Sequence, residues 1–210
     1  MLYKQYITSE YQWGIWKVTE NLSELLALLP DQGAVYMDEL NAFKSDSRKI
    51  EWLAVRVLLY TLTQRITPIQ YHPSGKPYFA DHSAHLSISH TKGYVSVIIS
   101  ETNEVGIDIE KISERVHKVA HKFVRDDEHL PEDSVQKTHA LLLIWSAKEV
   151  MFKCMNEEAV DFREHMHVDL TQLDGTCFPG KETRSKHGRT YLICYIIDPE
   201  FVMTWTSVES

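Results

Sequence analysis

Cysteine is scarce in this 210-residue chain. There are three, Cys154, Cys177 and Cys194, and no two of them form a C-x-x-C pair. An odd, scattered set of this kind excludes a disulfide framework as the source of stability and fits a reducing compartment. Long apolar runs are also missing. Ala140 to Trp145 and Tyr191 to Ile197 are both far too short to span a bilayer. The opening Met-Leu-Tyr-Lys-Gln-Tyr-Ile-Thr lacks a basic segment followed by an apolar one, so no secretion signal is read. The expectation is a cytoplasmic protein with no membrane partner. Positive charge is outweighed, with 22 Lys and Arg against 30 Asp and Glu, a net charge of −8. That balance argues against a broad nucleic-acid surface and requires any anionic ligand to be held by local cations against the global field. No long polar or Gly/Ser-rich tract interrupts the chain, and 43% hydrophobic with 25% charged residues is ordinary for a globular protein.

What is present centres on Val105-Gly-Ile-Asp-Ile-Glu110. As a strand it sends Val105, Ile107 and Ile109 to one face and Gly106, Asp108 and Glu110 to the other. Side chains two apart lie roughly 7 Å from one another, close enough for two carboxylates to serve one hard divalent cation directly or through water. The bland alternative is a solvated acidic face. A second cluster, Trp145-Ser-Ala-Lys-Glu-Val-Met-Phe-Lys153, favours the cation by offering Glu149 as a further ligand and Lys148 and Lys153 as nearby positive charge.

Along the chain, residues 1 to 20 read as an early strand or two, and Asn21-Leu-Ser-Glu24 as a capping box opening a short helix closed by Pro30. A second short helix is expected from Met37 to Phe43. In Arg48 to Ile66, apolar residues recur at three and four, giving a core-facing helix. Arg48, Trp52 and Arg56 lie four apart off its apolar stripe, so both guanidinium groups should emerge on one side. Gly75-Lys76-Pro77 marks a turn presenting Lys76 at its tip. Ala84 to His90 alternates as a strand, with Ser87 and Ser89 on one side and His90 at the end. Tyr94 to Ser100, a polar connection and Val105 to Glu110 carry a hairpin signature. Ser113 can cap a helix through Val124. Asp133-Ser134 opens a long helix ending near Met155, on which Glu149 and Lys153 are an i, i+4 pair. Thr190 to Ile197 and Phe201 to Val208 are strands, preceded by a loop over 180–188. Two strand-rich halves, each with one long helix, suggest α+β lobes over 1–104 and 105–210.

The order of these features (Arg-x7-Arg, Gly-Lys-Pro, Ser-Ile-Ser-His, Gly-Ile-Asp-Ile-Glu, then Trp-Ser-x-Lys-Glu-x-x-x-Lys) resembles the 4′-phosphopantetheinyl transferases, in the larger type that activates peptide synthetases and other carrier proteins. The resemblance covers about residues 44 to 155. It implies transfer of the 4′-phosphopantetheine group of coenzyme A to a serine of an apo acyl or peptidyl carrier protein, with release of adenosine 3′,5′-bisphosphate. It also implies a monomer of two pseudo-two-fold-related α+β lobes, each an antiparallel sheet packed against a long helix, with coenzyme A bound between them.

By the same resemblance Mg²⁺ is held by Asp108, Glu110 and Glu149, and the cation neutralises charge as the carrier serine attacks phosphorus. Arg48, Arg56, Gly75, Lys76, Pro77, Ser89 and His90 fall where the nucleotide part of coenzyme A is held. Lys153 reaches the pyrophosphate, with Lys148 helping. Deprotonation of the carrier serine is left among Glu149, Glu128, Lys153 and a water on the metal. Two rival classes are a non-catalytic coenzyme A- or carrier-binding module and a magnesium-dependent phosphohydrolase. A metallohydrolase built on His117 and His121, or on His165 and His167, lacks an H-E-x-x-H or a matching carboxylate.

Overall fold

The computed structural model describes all residues except 156, 158, 173, 174 and 210, and the backbone alone at Gln172. It is an α+β protein of helices and antiparallel sheets. The chain divides into two compact units, Met1–Glu101 and Thr102–Ser210.

In the first unit, β1 (Leu2–Ile7) and β2 (Gln12–Lys17) are followed by α1 (Leu22–Ala27). The expected capping box is formed: Asn21 accepts from the Glu24 backbone N–H, and Glu24 accepts from that of Asn21. A 3-10 segment, Pro30–Tyr36, leads into α2 (Met37–Ala42) and then α3 (Asp46–Thr63). Helix α3 stops three residues short of the expected end at Ile66. Gln64 takes a left-handed conformation, φ 54°, and its N–H returns to the Tyr60 carbonyl. Strands β3 (Ile69–Tyr71) and β4 (Pro77–Phe79) form a small hairpin whose turn uses Gly75 at φ +88°, a conformation that suits glycine. Strands β5 (His85–Thr91) and β6 (Tyr94–Ser100) complete a four-stranded sheet in the order β1-β2-β6-β5. Leu53, Val57 and Leu58 of α3 pack with Leu25, Trp16, Val95 and Val97 in one apolar cluster. Truncating such a leucine to alanine costs about 2–5 kcal/mol.

The second unit begins with β7 (Asn103–Lys111), then α4 (Arg115–Val119), a 3-10 turn over 120–122, α5 (Ser134–Cys154) and α6 (Phe162–His165). It closes with β8 (Met166–Val168), a 3-10 turn at 170–172, β9 (Cys177–Glu182), β10 (Arg189–Ile197) and β11 (Phe201–Glu209). Asp133 caps α5 by accepting from the Val135 and Gln136 N–H groups. Leu141, Ile144, Ala147 and Met151 of α5 pack on Met166, Phe178, Tyr191, Ile193 and Val202.

Three expectations are corrected. Strands β6 and β7 are not a hairpin: β6 pairs with β2 and β5, whereas β7 pairs with β11 in a separate sheet ordered β7-β11-β10-β9-β8. Alternation identifies a strand but not its neighbour, and β7 is instead matched over nine positions, from Asn103↔Glu209 to Lys111↔Phe201. The segment expected as a loop from Gly180 starts as strand, because β9 runs to Glu182 against β10. That register sets Cys177 opposite Cys194, and the two are joined in a disulfide, with Cys154 buried outside it. Among the described residues, no helix is long and apolar enough to cross a membrane.

Candidate active site

The acidic strand keeps the alternation read from its sequence. Val105, Ile107 and Ile109 are each no more than 1% exposed. The opposite face, carrying Gly106, Asp108 and Glu110, lies under α5 and not in open solvent. A Cβ at Gly106 would stand 2.7 Å from the Val150 carbonyl oxygen and 3.0 Å from Cys154 Sγ. Glycine is what lets helix and strand approach this closely. One residue further along the same face, the Asp108 carbonyl accepts from Ser146 Oγ at 3.4 Å, and Ser146 Oγ is 2.8 Å from Thr204 Oγ1. Thr204 stands opposite Asp108 in the β7–β11 register.

This packing brings the sequence-expected acids into electrostatic reach of one another. Asp108, 4% exposed, accepts from Lys153 Nζ at 2.9 Å through Oδ1, and the same ammonium donates to the Ile107 carbonyl at 2.8 Å. Glu110 accepts at Oε1 from the Trp145 indole N–H at 2.8 Å. Burial first, and the charges of Asp108 and Glu149 with it, push Glu110 up to about 7 against the indole hydrogen bond and Lys153. Burial also raises Glu149, again with Asp108 adding and Lys153 subtracting. Three carboxylates therefore feel one another and one ammonium in a partly dehydrated region, and two titrate upward, through burial first and the charge of Asp108 second.

The donor set suits a hard cation in kind, three carboxylates that repel one another. Among the described residues, however, no three His, Cys, Asp or Glu side chains are gathered into a shell that could hold a metal ion. Lys153 occupies one of the oxygens a cation would use.

Lys148 and Glu128 stand apart from this group, which corrects their expected exposure to ligand. Both side chains are 0% exposed, and Lys148 Nζ lies 2.8 Å from Glu128 Oε1. Lys148 also donates to the Phe123 carbonyl at 2.6 Å, and Glu128 accepts from the Arg125 and Val168 N–H groups, each at 2.8 Å. Desolvation pulls Lys148 down against the raising effect of Glu128. Every polar atom of the pair is turned inward. The sequence could not reveal this, because the β8 donor becomes a neighbour only in the folded unit.

In the first unit, Arg48 at the start of α3 meets His90 at the end of β5, Nη1 to Nε2 at 3.3 Å, and also lies 3.4 Å from Glu51 Oε2. Arg56 departs from expectation. Instead of emerging beside Arg48 it is 4% exposed, with its guanidinium carbon 3.6 Å from the Trp52 ring centre and a hydrogen bond to the Trp52 carbonyl at 3.3 Å. Burial pulls Arg56 down, opposed by Tyr71, Tyr36 and Glu39. Ser89 is 9% exposed, and its carbonyl accepts from Ser96 Oγ at 3.4 Å. Lys76 is half-buried beside the exposed Gly75, and Pro77 opens β4. Trp52, Trp145 and Thr204 were not singled out for a role by sequence reading. The two tryptophans were visible at helical spacing from charged residues, but nothing in the sequence pairs Thr204 with Asp108.

An acid pair on a strand, answered by a Lys-Glu-x-x-x-Lys helix, agrees with what comparison with known proteins finds. Residues 104–202 match the model of the 4′-phosphopantetheinyl transferase superfamily. Through that segment, a little under half of the chain, the protein is similar to the superfamily that its motifs resemble. The chain is 32% identical over 112 residues to the 4′-phosphopantetheinyl transferase AcpT of Escherichia coli, in strains O157:H7 and K12, covering 50% of this chain and 57% of the relative. It is 35% identical over 86 residues to the 4′-phosphopantetheinyl transferase gsp of Aneurinibacillus migulanus, covering 40% of this chain and 35% of the relative. The match thus spans little more than half the length of the first relatives.

Proposed function

We propose that this protein is a 4′-phosphopantetheinyl transferase that moves the phosphopantetheine group of coenzyme A to a serine hydroxyl of an apo acyl or peptidyl carrier protein, with Mg²⁺ and with release of adenosine 3′,5′-bisphosphate. The observation that supports the reading is the match of residues 104–202 to the family, with Lys153 bonded to Asp108 and the charges of Asp108 and Glu149 felt at Glu110. A bound Mg²⁺ would supply charge neutralisation for the diphosphate. Asp108, Glu110 and Glu149 would hold it.

The chain's own residues account for the rest. Lys153, bonded to Asp108 Oδ1 and 24% exposed, can turn to a phosphoryl oxygen without leaving the acid cluster. Glu149, raised by burial and by Asp108, is a better proton acceptor than an ordinary carboxylate. Glu128 is sealed by Lys148, so the acceptor is sought among Glu149, Lys153 and water. Arg48 with His90, the Gly75-Lys76-Pro77 turn, Ser89 and the Trp52-stacked Arg56 form the cationic set assigned to the nucleotide phosphates and adenine.

The experiment is intact-mass analysis of a panel of apo carriers incubated with the protein, coenzyme A and Mg²⁺. One phosphopantetheine adduct per carrier, lost in Asp108→Ala and Glu149→Ala variants that remain folded, supports the transferase. Coenzyme A binding without any adduct would favour a binding module, and phosphate release without an adduct would favour a phosphohydrolase.

A further inference from the structure

The Lys148–Glu128 pair poses a physical question. Burying two charges completely is costly, and a pair of well-packed apolar side chains at the same place is often equally stable or more so. Its justification is thus sought in what it fixes. Glu128 Oε1 accepts from the Val168 N–H at the end of β8, Glu128 Oε2 accepts from the Arg125 N–H in the loop after α4, and Lys148 adds α5. One carboxylate thereby joins three segments that are separate in the chain. The Phe123 carbonyl accepts a further hydrogen bond from the same ammonium, so the loop is held at both Phe123 and Arg125.

Lys148 also stands immediately before Glu149. At about 100° per residue around an α-helix, Trp145, Glu149 and Lys153 lie about 60°, 100° and 140° around from Lys148, a single sector. That sector is the one meeting the strand: Trp145 bonds Glu110, and Lys153 bonds Asp108 and the Ile107 carbonyl. Rotation of α5 that carried these three away from β7 would pull Lys148 off Glu128. Most of the neighbouring contacts of α5 are aliphatic, from Leu141, Ile144, Ala147 and Met151. Aliphatic packing tolerates small rotations far better than a hydrogen-bonded charge pair does.

We propose that Lys148 and Glu128 are positioning residues, a buried latch that sets the rotation of α5 so that Trp145, Glu149 and Lys153 face the acids of β7. The proposal rests on the transferase reading for its kinetic consequence, although not for its structural one. Neither residue touches substrate. Each acts through Trp145, Glu149 and Lys153, which face the acids of β7.

The test uses Glu128→Asp, which keeps the charge but shortens the reach, and the neutral double variant Lys148→Met with Glu128→Gln. Both are studied below their own Tm, with folding checked by circular dichroism. The full chain carries fluorotryptophan, and the Trp145 resonance is assigned by its loss in Trp145→Phe. In Glu128→Asp the resonance should move and kcat should fall by about tenfold to 100-fold, with the KM for coenzyme A changed less than about threefold, as expected for misplaced catalytic groups. The double variant, relieved of the unpaired charge, should return the resonance and recover at least about a tenth of wild-type kcat. A folded Glu128→Asp protein with both resonance and kcat unchanged would overturn the latch. So would a double variant whose resonance is restored while kcat stays at zero, since a charged group would then be needed in the chemistry itself. If wild-type protein modifies no carrier, the transferase reading fails, and the Trp145 resonance alone decides the latch.

Discussion

Lys153 Nζ sits 2.9 Å from Asp108 Oδ1, so the last turn of α5 is tied by an ion pair to the middle of β7. The ammonium is 24% exposed and the carboxylate 6%. Replacing Lys153 with Met removes one hydrogen-bonded partner of a buried acid and the cation nearest to any bound phosphoryl group. Stability should fall by only about 1 kcal/mol, because the lysine is partly solvated. The kcat for carrier modification should fall by about 100-fold or more. Thermal unfolding and single-turnover assays read the two effects separately.

Glu110 supplies a pH dependence whose sign is fixed. Its pKa in the folded protein is about 7, above the ordinary value of 4.5, through burial and then Asp108. The folded state therefore binds this proton more tightly than the unfolded state does. The associated stability is complete below about pH 4.5 and is lost as pH rises through about 7. Glu110→Gln should accordingly be more heat-stable than wild type at pH 8, with the difference shrinking toward pH 5. Tm values in divalent-free buffer at the two pH values check this.

If these acids hold a divalent cation, adding Mg²⁺ at pH 8 should raise Tm by mass action, since the unfolded chain lacks the arrangement. The effect should be absent in Asp108→Asn. A scan with increasing MgCl2, against NaCl at equal ionic strength, separates binding from screening.

Gly106→Ala tests the strand–helix approach. Its Cβ would meet the Val150 carbonyl oxygen at 2.7 Å, a backbone atom that cannot swing aside. The helix must shift, at a cost of about 1–3 kcal/mol. Activity should fall more than stability suggests, because Glu149 is carried away from Asp108. Comparing kcat at a temperature where both proteins are fully folded isolates that part.

Carrier docking is expected on the exposed basic face of 117–122, where His117, Lys118, His121 and Lys122 surround the 40% exposed Val119. Carrier proteins are typically acidic, so Lys118→Glu with Lys122→Glu should raise the carrier KM by about tenfold at low salt and leave kcat alone. An unchanged KM would place docking elsewhere.

The helices were legible because their boundaries are written in local chemistry. Asn21 with Glu24, and Asp133 ahead of Ser134, announce helix starts that depend on neighbours three residues away. The acid face of β7 was legible for the same reason, through strict alternation. Partners across the fold were not. Nothing near Val105 tells that its strand pairs with the one at Phe201 to Glu209, and a polar connection after β6 reads the same whether the chain turns back or passes into another sheet.

Charged residues in the motifs divide along the same line. Glu149 and Lys153 fall on the side of α5 that meets β7, which helical spacing could show. Lys148, one position earlier, was read with them as ligand-facing, yet it is enclosed by Glu128 and Phe123. Arg56 was expected beside Arg48 and is instead stacked on Trp52. In both cases the sequence shows the charge but not the enclosure, because enclosure depends on segments supplied from elsewhere in the fold.

Sheet order places β11 beside β7. During synthesis the strand bearing Asp108 and Glu110 emerges nearly a hundred residues before the strand it is matched with at residues 201–209. Closing a contact so distant in sequence slows folding. A nonsense codon between Glu149 and β11 would thus yield a polypeptide that contains every proposed cation ligand but lacks the strand matched with β7 along its whole length.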